Sequence, residues 1–468
     1  MPRRILAAAA ILFAASAAQA ADTTPDQASK RLIEGRAVEA VIWGMPAVNH
    51  DLMLQEFKKI GGKENQIVYW SRPLDGNNQT LTPNPDSIYF MAFYNTKNGP
   101  VVLEIPPAGD DGSINANIVT TWQMPLADGG PYGTDKGQGG KYLLLPPGYS
   151  GEVPEGYIPL QSDTYGGYAL IRSNLKSHGD ADVAKSVAYG KRVKLYPLSE
   201  AANPAETVFV DAADVVFDST IHYDASFFDR LNRIVQDEPW IPRDRAMIDQ
   251  LKSIGIEKSK SFSPDDKTKA LLNAAAQYGK VLLEQRFDAG FPPFFEGTHW
   301  TLPVSSPDLV KAMQSGFSDP ESYPIDARGL AYTYAFVGIK NLGDGQYYLF
   351  NIKDKDGDAY DGGKNYRLHV PANPPVRQYW SVTVYDRTLH TLLRDVKRAS
   401  RASNASEVQK NKDGSVDVYF GPEPPPGKES NWVPTKPGQG FEFIFRLYGP
   451  TEALFEKTWK LPDVEKVN

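Results

Sequence analysis

The apolar positions of this chain change period twice along its length. Leu32, Val38 and Ile42 follow Thr24-Pro25 at a loose helical spacing, and a threonine before proline is a helix start. The pattern predicts a helix over 25–58, inside an N-terminal helical segment 21–65. A break is expected near Gly44-Met45-Pro46, because proline removes a backbone donor and crowds the preceding turn. From residue 66 the apolar runs shorten to strand length and alternate with turn residues, at 67–70, 87–95, 101–105, 117–122, 142–145 and 165–171. They predict a β-sandwich domain over 66–178.

Between 179 and 328 the helical period returns. Ser263-Pro264-Asp265-Asp266 caps a helix that sets Leu271, Ala274, Ala275, Tyr278, Val281 and Leu282 on one face. Asp224 opens another, with Phe227, Phe228, Leu231, Ile234 and Val235 on its buried side. A helical bundle is expected here. After 329 the alternation is clear: Phe441, Phe443, Phe445 and Leu447 point one way, and Glu442, Arg446 and Tyr448 the other. Trp380, Val382 and Val384 oppose Tyr379, Ser381, Thr383 and Tyr385 in the same manner, each strand having one core face and one partly wet face. Strands with no helices between them predict a jelly roll or sandwich over 329–468. The fold class is therefore mainly β with a helical insert.

Composition agrees with short strands and tight turns: 39 Gly, 37 Pro, 21 Phe, 24 Tyr and 8 Trp. The start adds a destination. Arg3 and Arg4, an apolar run over 5–15 and the small-residue pattern Ala18-Gln19-Ala20 predict a signal peptide over 1–20, cleaved before Ala21. A periplasmic or secreted location follows. The apolar run is shorter than the roughly 18 to 20 residues a membrane span needs, and no second such run exists, so no transmembrane segment is expected in the mature chain. Without that segment 48 basic side chains face 57 acidic ones, a balance unsuited to a nucleic-acid partner. There is no cysteine, hence no disulfide, thiolate nucleophile or zinc-thiolate site.

Three motifs carry a resemblance: Thr80-Leu81-Thr82-Pro83-Asn84-Pro85-Asp86-Ser87-Ile88-Tyr89, Asp135-Lys136-Gly137-Gln138-Gly139-Gly140-Lys141-Tyr142, and Tyr379-Trp380-Ser381-Val382-Thr383-Val384-Tyr385-Asp386. With the closing Phe445-Arg446-Leu447-Tyr448-Gly449-Pro450, the chain resembles the secreted proteins that pair domains of unknown function 1254 and 1214. The resemblance implies an immunoglobulin-like N-terminal sandwich, a middle helical domain and a C-terminal jelly roll. It implies no catalytic residue.

The residues themselves narrow the chemistry. No nucleophile elbow of the form Gly-x-Ser-x-Gly is present. The six histidines stand far apart, none at metal-binding spacing, and read as ordinary surface or core residues. The acidic run at 354–361 has calcium-ligand character but lacks the EF-hand glycine and glutamate, so it reads as a solvated hairpin loop between strands 347–352 and 366–370. The glycine-rich stretch 135–140 has amides that suit an anion but no following helix. No metal or cofactor is expected.

Pro83-Asn84-Pro85-Asp86 stands apart, since two prolines stiffen a loop that presents polar groups beside aromatics. Asn84, Asp86 and Tyr89 are the candidate ligand contacts, with Trp122, Trp380 and Tyr385 as an aromatic wall. The competing reading has Asn84 and Asp86 capping turn amides. The functional expectation is a protein that binds a small molecule or a partner in a cleft. Its alternatives are a metal-independent hydrolase or lyase using Asp, Tyr and Arg side chains, and a structural envelope component.

Overall fold

The computed structural model describes residues 24–302, 307–334 and 338–467, so the expected signal segment and its cleavage point lie outside the described residues. Thr24 caps the first helix reciprocally with Gln27, and Pro25 occupies its first turn. This helix, Pro25–Lys59, does not break at Pro46. Residues 40–54 are buried without interruption. An interior proline costs about 3 kcal/mol, whereas enclosing Ile42, Trp43, Met45 and Val48 returns about 1.5–3 kcal/mol each.

The next unit has two sheets. One holds six strands in the order Phe209–Asp211, Gln66–Tyr69, Ser87–Asn95, Gly166–Asn174, Ile114–Thr120 and Pro125–Gly129. The other holds Lys194–Pro197, Val101–Ile105, Gly140–Leu145 and Tyr157–Gln161. Ile88, Phe90 and Ala92 enter an apolar core shared with Val101, Leu103 and Leu144. Strand alternation turns Tyr89, Met91 and Phe93 to the other side, against the first helix.

The C-terminal unit repeats this layering. Gln346–Asn351, Gly440–Tyr448, Trp380–Asp386 and Ser400–Ala402 form one sheet, with Tyr360–Asp361 also paired to Gly440–Tyr448. Trp432–Pro434, Val416–Gly421, Asn365–Val370 and Glu465–Val467 form the other. The two strands expected to make a hairpin around 354–361 therefore lie in different sheets. Phe441, Phe443, Phe445 and Leu447 fill the core between them. The face expected to be partly wet, with Ser381, Thr383, Glu442 and Arg446, is buried, because the first unit covers it.

Helix Asp180–Gly190 lies within the first unit, and helices Ser226–Asp237, Met247–Ser253, Asp266–Asp288, Pro307–Ser315 and Ile325–Tyr334 lie between the units in sequence. Ser226–Asp237 buries all five apolar residues read from the sequence. Asp266–Asp288, capped by Asp265, is turned from its expected face: it buries Leu272, Ala275, Ala276, Gly279 and Leu283 and leaves Tyr278 62% exposed. Small residues let it approach the first helix, where a Cβ on Gly279 would lie 3.0 Å from Val41. Helix and strand take nearly equal shares, 27% and 26%, so the chain is mixed rather than mainly β. One apolar cluster runs through the first helix, the later helices and the inward faces of both large sheets. Among the described residues no helix is long and apolar enough to cross a membrane.

Candidate functional site

Two sheets with polar faces turned toward each other need those faces satisfied. Residues 80–89 do much of this work between them. Asn84 donates its Nδ2 to the Tyr448 hydroxyl at 2.9 Å and the Tyr379 hydroxyl at 3.3 Å, while its Oδ1 accepts from the Asp86 amide. Asp86 Oδ1 accepts from Ser400 Oγ at 2.7 Å. Both side chains thus latch the loop to the C-terminal sheet and stand behind the cavity that its neighbours line. Thr82 holds a left-handed φ of 39°, a strained conformation for a β-branched residue.

That cavity, of about 40 Å³, is lined by Asn49, residues 80–83, Tyr89, Gln123, Tyr168, Tyr348 and two arginines. Alternation along Gly166–Asn174 turns Arg172 inward, and alternation along Gly440–Tyr448 turns Arg446 to meet it. Each is 3% exposed. Arg172 donates through Nη1 to Asn117 Oδ1 at 2.7 Å and through Nε to the Tyr89 hydroxyl at 3.4 Å. Arg446 donates through Nη1 to Thr383 Oγ1, and through Nη2 to the Thr82 carbonyl at 2.8 Å and the Tyr385 hydroxyl at 2.5 Å. Neither makes an ion pair with a carboxylate among the described residues, whereas buried charges ordinarily have an opposite charge beside them. Burial opposes both charges, yet Tyr89, Tyr348 and Tyr448, shared by the two guanidinium groups, help hold their pKa values above the ordinary arginine value.

A second chamber, of about 90 Å³, adjoins the first, with Asn49 and Leu81 lining both. The exposed Thr388 and Leu389 stand at its outer side. His390 forms part of its wall, with Nδ1 2.6 Å from the buried Glu442 carboxylate. The opposite ring nitrogen has no partner among the described residues. Tyr334 packs edge-on to His390 with ring centres 4.4 Å apart.

Of the six residues read from the sequence, Tyr89 lines the inner cavity and Tyr385 braces Arg446 from behind it. Asn84 and Asp86 are latches. Trp122 packs on Trp43 at 4.4 Å, next to the cavity residue Gln123. Trp380 is turned away into the C-terminal core, stacked on Phe445, because it shares the face of Val382 and Val384. The other polar candidates hold partners of their own. Lys466 Nζ sits 2.9, 3.8 and 2.6 Å from Asp354, Asp356 and Asp358, where a calcium ion would stand. In the glycine-rich stretch, Asp135 itself accepts from the amides of Gly130 and Gly139, so the cradle holds an internal anion.

Comparison with known proteins places this geometry. Two family models match, protein of unknown function 1254 over residues 64–197 and protein of unknown function 1214 over 345–452. No curated protein matches. The chain is similar in fold to the VPA0106 protein from Vibrio parahaemolyticus, at 18% identity and a TM-score of 0.59, covering 93% of this chain and 100% of that one. An uncharacterised protein from Burkholderia cenocepacia matches at 11% identity and a TM-score of 0.42, over 94% of this chain and 96% of that one. The chain belongs to the family that joins domain of unknown function 1254 to domain of unknown function 1214, and each of the two domains supplies one arginine to the inner cavity.

Proposed function

We propose that the protein binds a small anion in the cavity between its two inner sheets, with Arg172 and Arg446 as the anchoring groups. One observation carries this reading: two buried guanidinium groups converge on one cavity, and among the described residues neither has a carboxylate paired with it. Two uncompensated buried cations are costly, and an anionic ligand supplies the missing charge with charge-assisted, bidentate hydrogen bonds. Carboxylates fit this planar donor geometry.

A thermal-shift panel of formate, acetate, sulfate and phosphate tests the reading, since a ligand that binds only the folded state raises the melting temperature. At least one anion should stabilise the protein. Arg446→Met should abolish that response, read against the variant's own ligand-free melting temperature, because it also leaves the buried Thr82 carbonyl and Thr383 hydroxyl without their donor. A response that survives both Arg446→Met and Arg172→Met would overturn the proposal.

The His390–Glu442 pair favours a second reading, in which the anchored molecule is turned over, since a carboxylate that orients an imidazole makes a base of its other nitrogen. New product signals by NMR after incubation with any hit, lost in His390→Gln, would establish turnover.

The finer fold belongs to the same proposal. We read the N-terminal pair of sheets as the immunoglobulin-like sandwich, the intervening helices as the middle helical domain and the C-terminal pair as the jelly roll. Export follows from residues 1–20, which direct the binding protein to the periplasm or exterior. Intact mass of protein from the bacterial envelope should correspond to a chain beginning at Ala21, and retention of 1–20 would refute it.

A further inference from the structure

The outer chamber carries polar groups that the anion alone leaves unused. Tyr334 and Ser219 are each 1% exposed, and among the described residues the Tyr334 hydroxyl and Ser219 Oγ have no hydrogen-bond partner. Both line the chamber, as does His390 with its unpartnered ring nitrogen. Buried hydroxyls without partners are costly, about 1–3 kcal/mol each, so such groups facing one cavity mark a ligand that satisfies them.

Their chemistry selects the ligand. Hydroxyl and imidazole groups donate and accept single neutral hydrogen bonds, as an alcohol does in return. An ammonium would need a free carboxylate, but Glu284 is paired with Lys280 at 3.3 Å and Glu442 is held by His390 and Arg387. An alkyl chain would leave all three groups unsatisfied. Glu442 holds His390 through Nδ1 at 2.6 Å, so the opposite ring nitrogen is the one left for a ligand, and an alcohol, which both donates and accepts, complements it in either proton state.

Resting on the anion reading above, we infer that the ligand is a polyhydroxylated carboxylic acid of the sugar-acid class. Its carboxylate lies on Arg172 and Arg446. Its hydroxyls extend past Asn49 and Leu81, which line both chambers, to Tyr334, Ser219 and His390. The chamber adds the selectivity that the arginines lack, because a site built to hydrogen-bond hydroxyls discriminates against analogues without them.

Calorimetric titration of the full mature chain with matched sets tests this: glycerate, propionate and glycerol at three carbons, and gluconate, hexanoate and sorbitol at six. In at least one set the hydroxy acid should bind ten-fold or more tightly than both partners. Tyr334→Phe combined with Ser219→Ala should erase that preference and leave the affinity for acetate within two-fold, a control that also reports intact folding. Acetate binding that depends on Arg446, with hydroxy and simple acids bound alike, would overturn the sugar-acid inference and leave the anion reading standing. If no acid binds, the sugar-acid inference falls, and the anion reading falls with it only if sulfate and phosphate also leave the melting temperature unchanged.

Discussion

His50 is buried in the first helix beside Phe93 and Tyr168, and its Nε2 has no partner among the described residues. Burial, opposed by the neighbouring Asp51, lowers its pKa from 6.5 to about 4. The sign follows from proton counting. Below pH 6.5 the unfolded chain protonates this ring and the folded chain does not, so stability falls by about 1.4 kcal/mol per pH unit until the folded pKa near 4. The loss from this one residue is about 3 kcal/mol across that window. Urea midpoints at pH 7 and pH 5 should show it, and His50→Gln should make the difference between them smaller. An unchanged difference would place the titration elsewhere. The arginines were harder to read than this histidine. Arg446 reads from the sequence as part of a partly wet strand face with Glu442 and Tyr448, and Arg172 follows an apolar run that ends at Ile171. Neither position reveals that the other lies across a cavity, since that depends on which sheet faces which. Asn84 and Asp86 read from the sequence as ligand contacts or as caps of the turn, and in the structure Asn84 pairs with Tyr448 and Asp86 with Ser400, across to the other domain.

At the scale of elements, helix Ile325–Tyr334 crosses the first helix so closely that a Cβ on Gly329 would lie 2.6 Å from the Ile42 carbonyl oxygen. Two effects of Gly329→Ala oppose each other. Alanine is favoured over glycine in a helix interior by about 1 kcal/mol, whereas an overpacked contact costs about 1–3 kcal/mol. The neighbour is backbone and cannot swing aside, so the clash should win and the melting temperature should fall by a few degrees. A rise would show that the helices can separate at no cost. The same closeness explains the unbroken Pro46. Local propensity placed a break there, but the sequence has no local mark for a helix enclosed on all sides. Propensity did locate the caps at Thr24 and Asp265 and the buried stripe of Ser226–Asp237, because those depend on near neighbours alone.

Across the whole molecule, the three expected units share one apolar cluster that contains Val48, Phe93, Leu231, Leu330 and Ile444. The joint expected at residues 177–179 is also anchored: His178 meets Asn404 at 3.1 Å, and Asn404 Nδ2 donates to the Leu175 carbonyl. Calorimetry should therefore show one cooperative transition, and two well-separated transitions would mean that the shared cluster does not couple the units. Protease cleavage at 177–179 should be slow under native conditions for the same reason. Strand patterns alone gave the two layered units, but their mutual placement depends on long-range contacts that no short window contains.

The sill formed by Asn49 and Leu81 bears on time as well as on affinity. A molecule seated on Arg172 and Arg446 has a sheet on either side of it, and a route through the outer chamber, whose wall includes the exposed Thr388 and Leu389, would pass Leu81. Departure then waits on movement of a loop that is itself latched, so the dissociation rate is governed by local opening more than by the strength of the contacts. Shortening Leu81 to alanine should speed both arrival and release of an anion while leaving their ratio nearly constant. Stopped-flow exchange would read that as a change of tempo at fixed equilibrium, the signature of a gatekeeper.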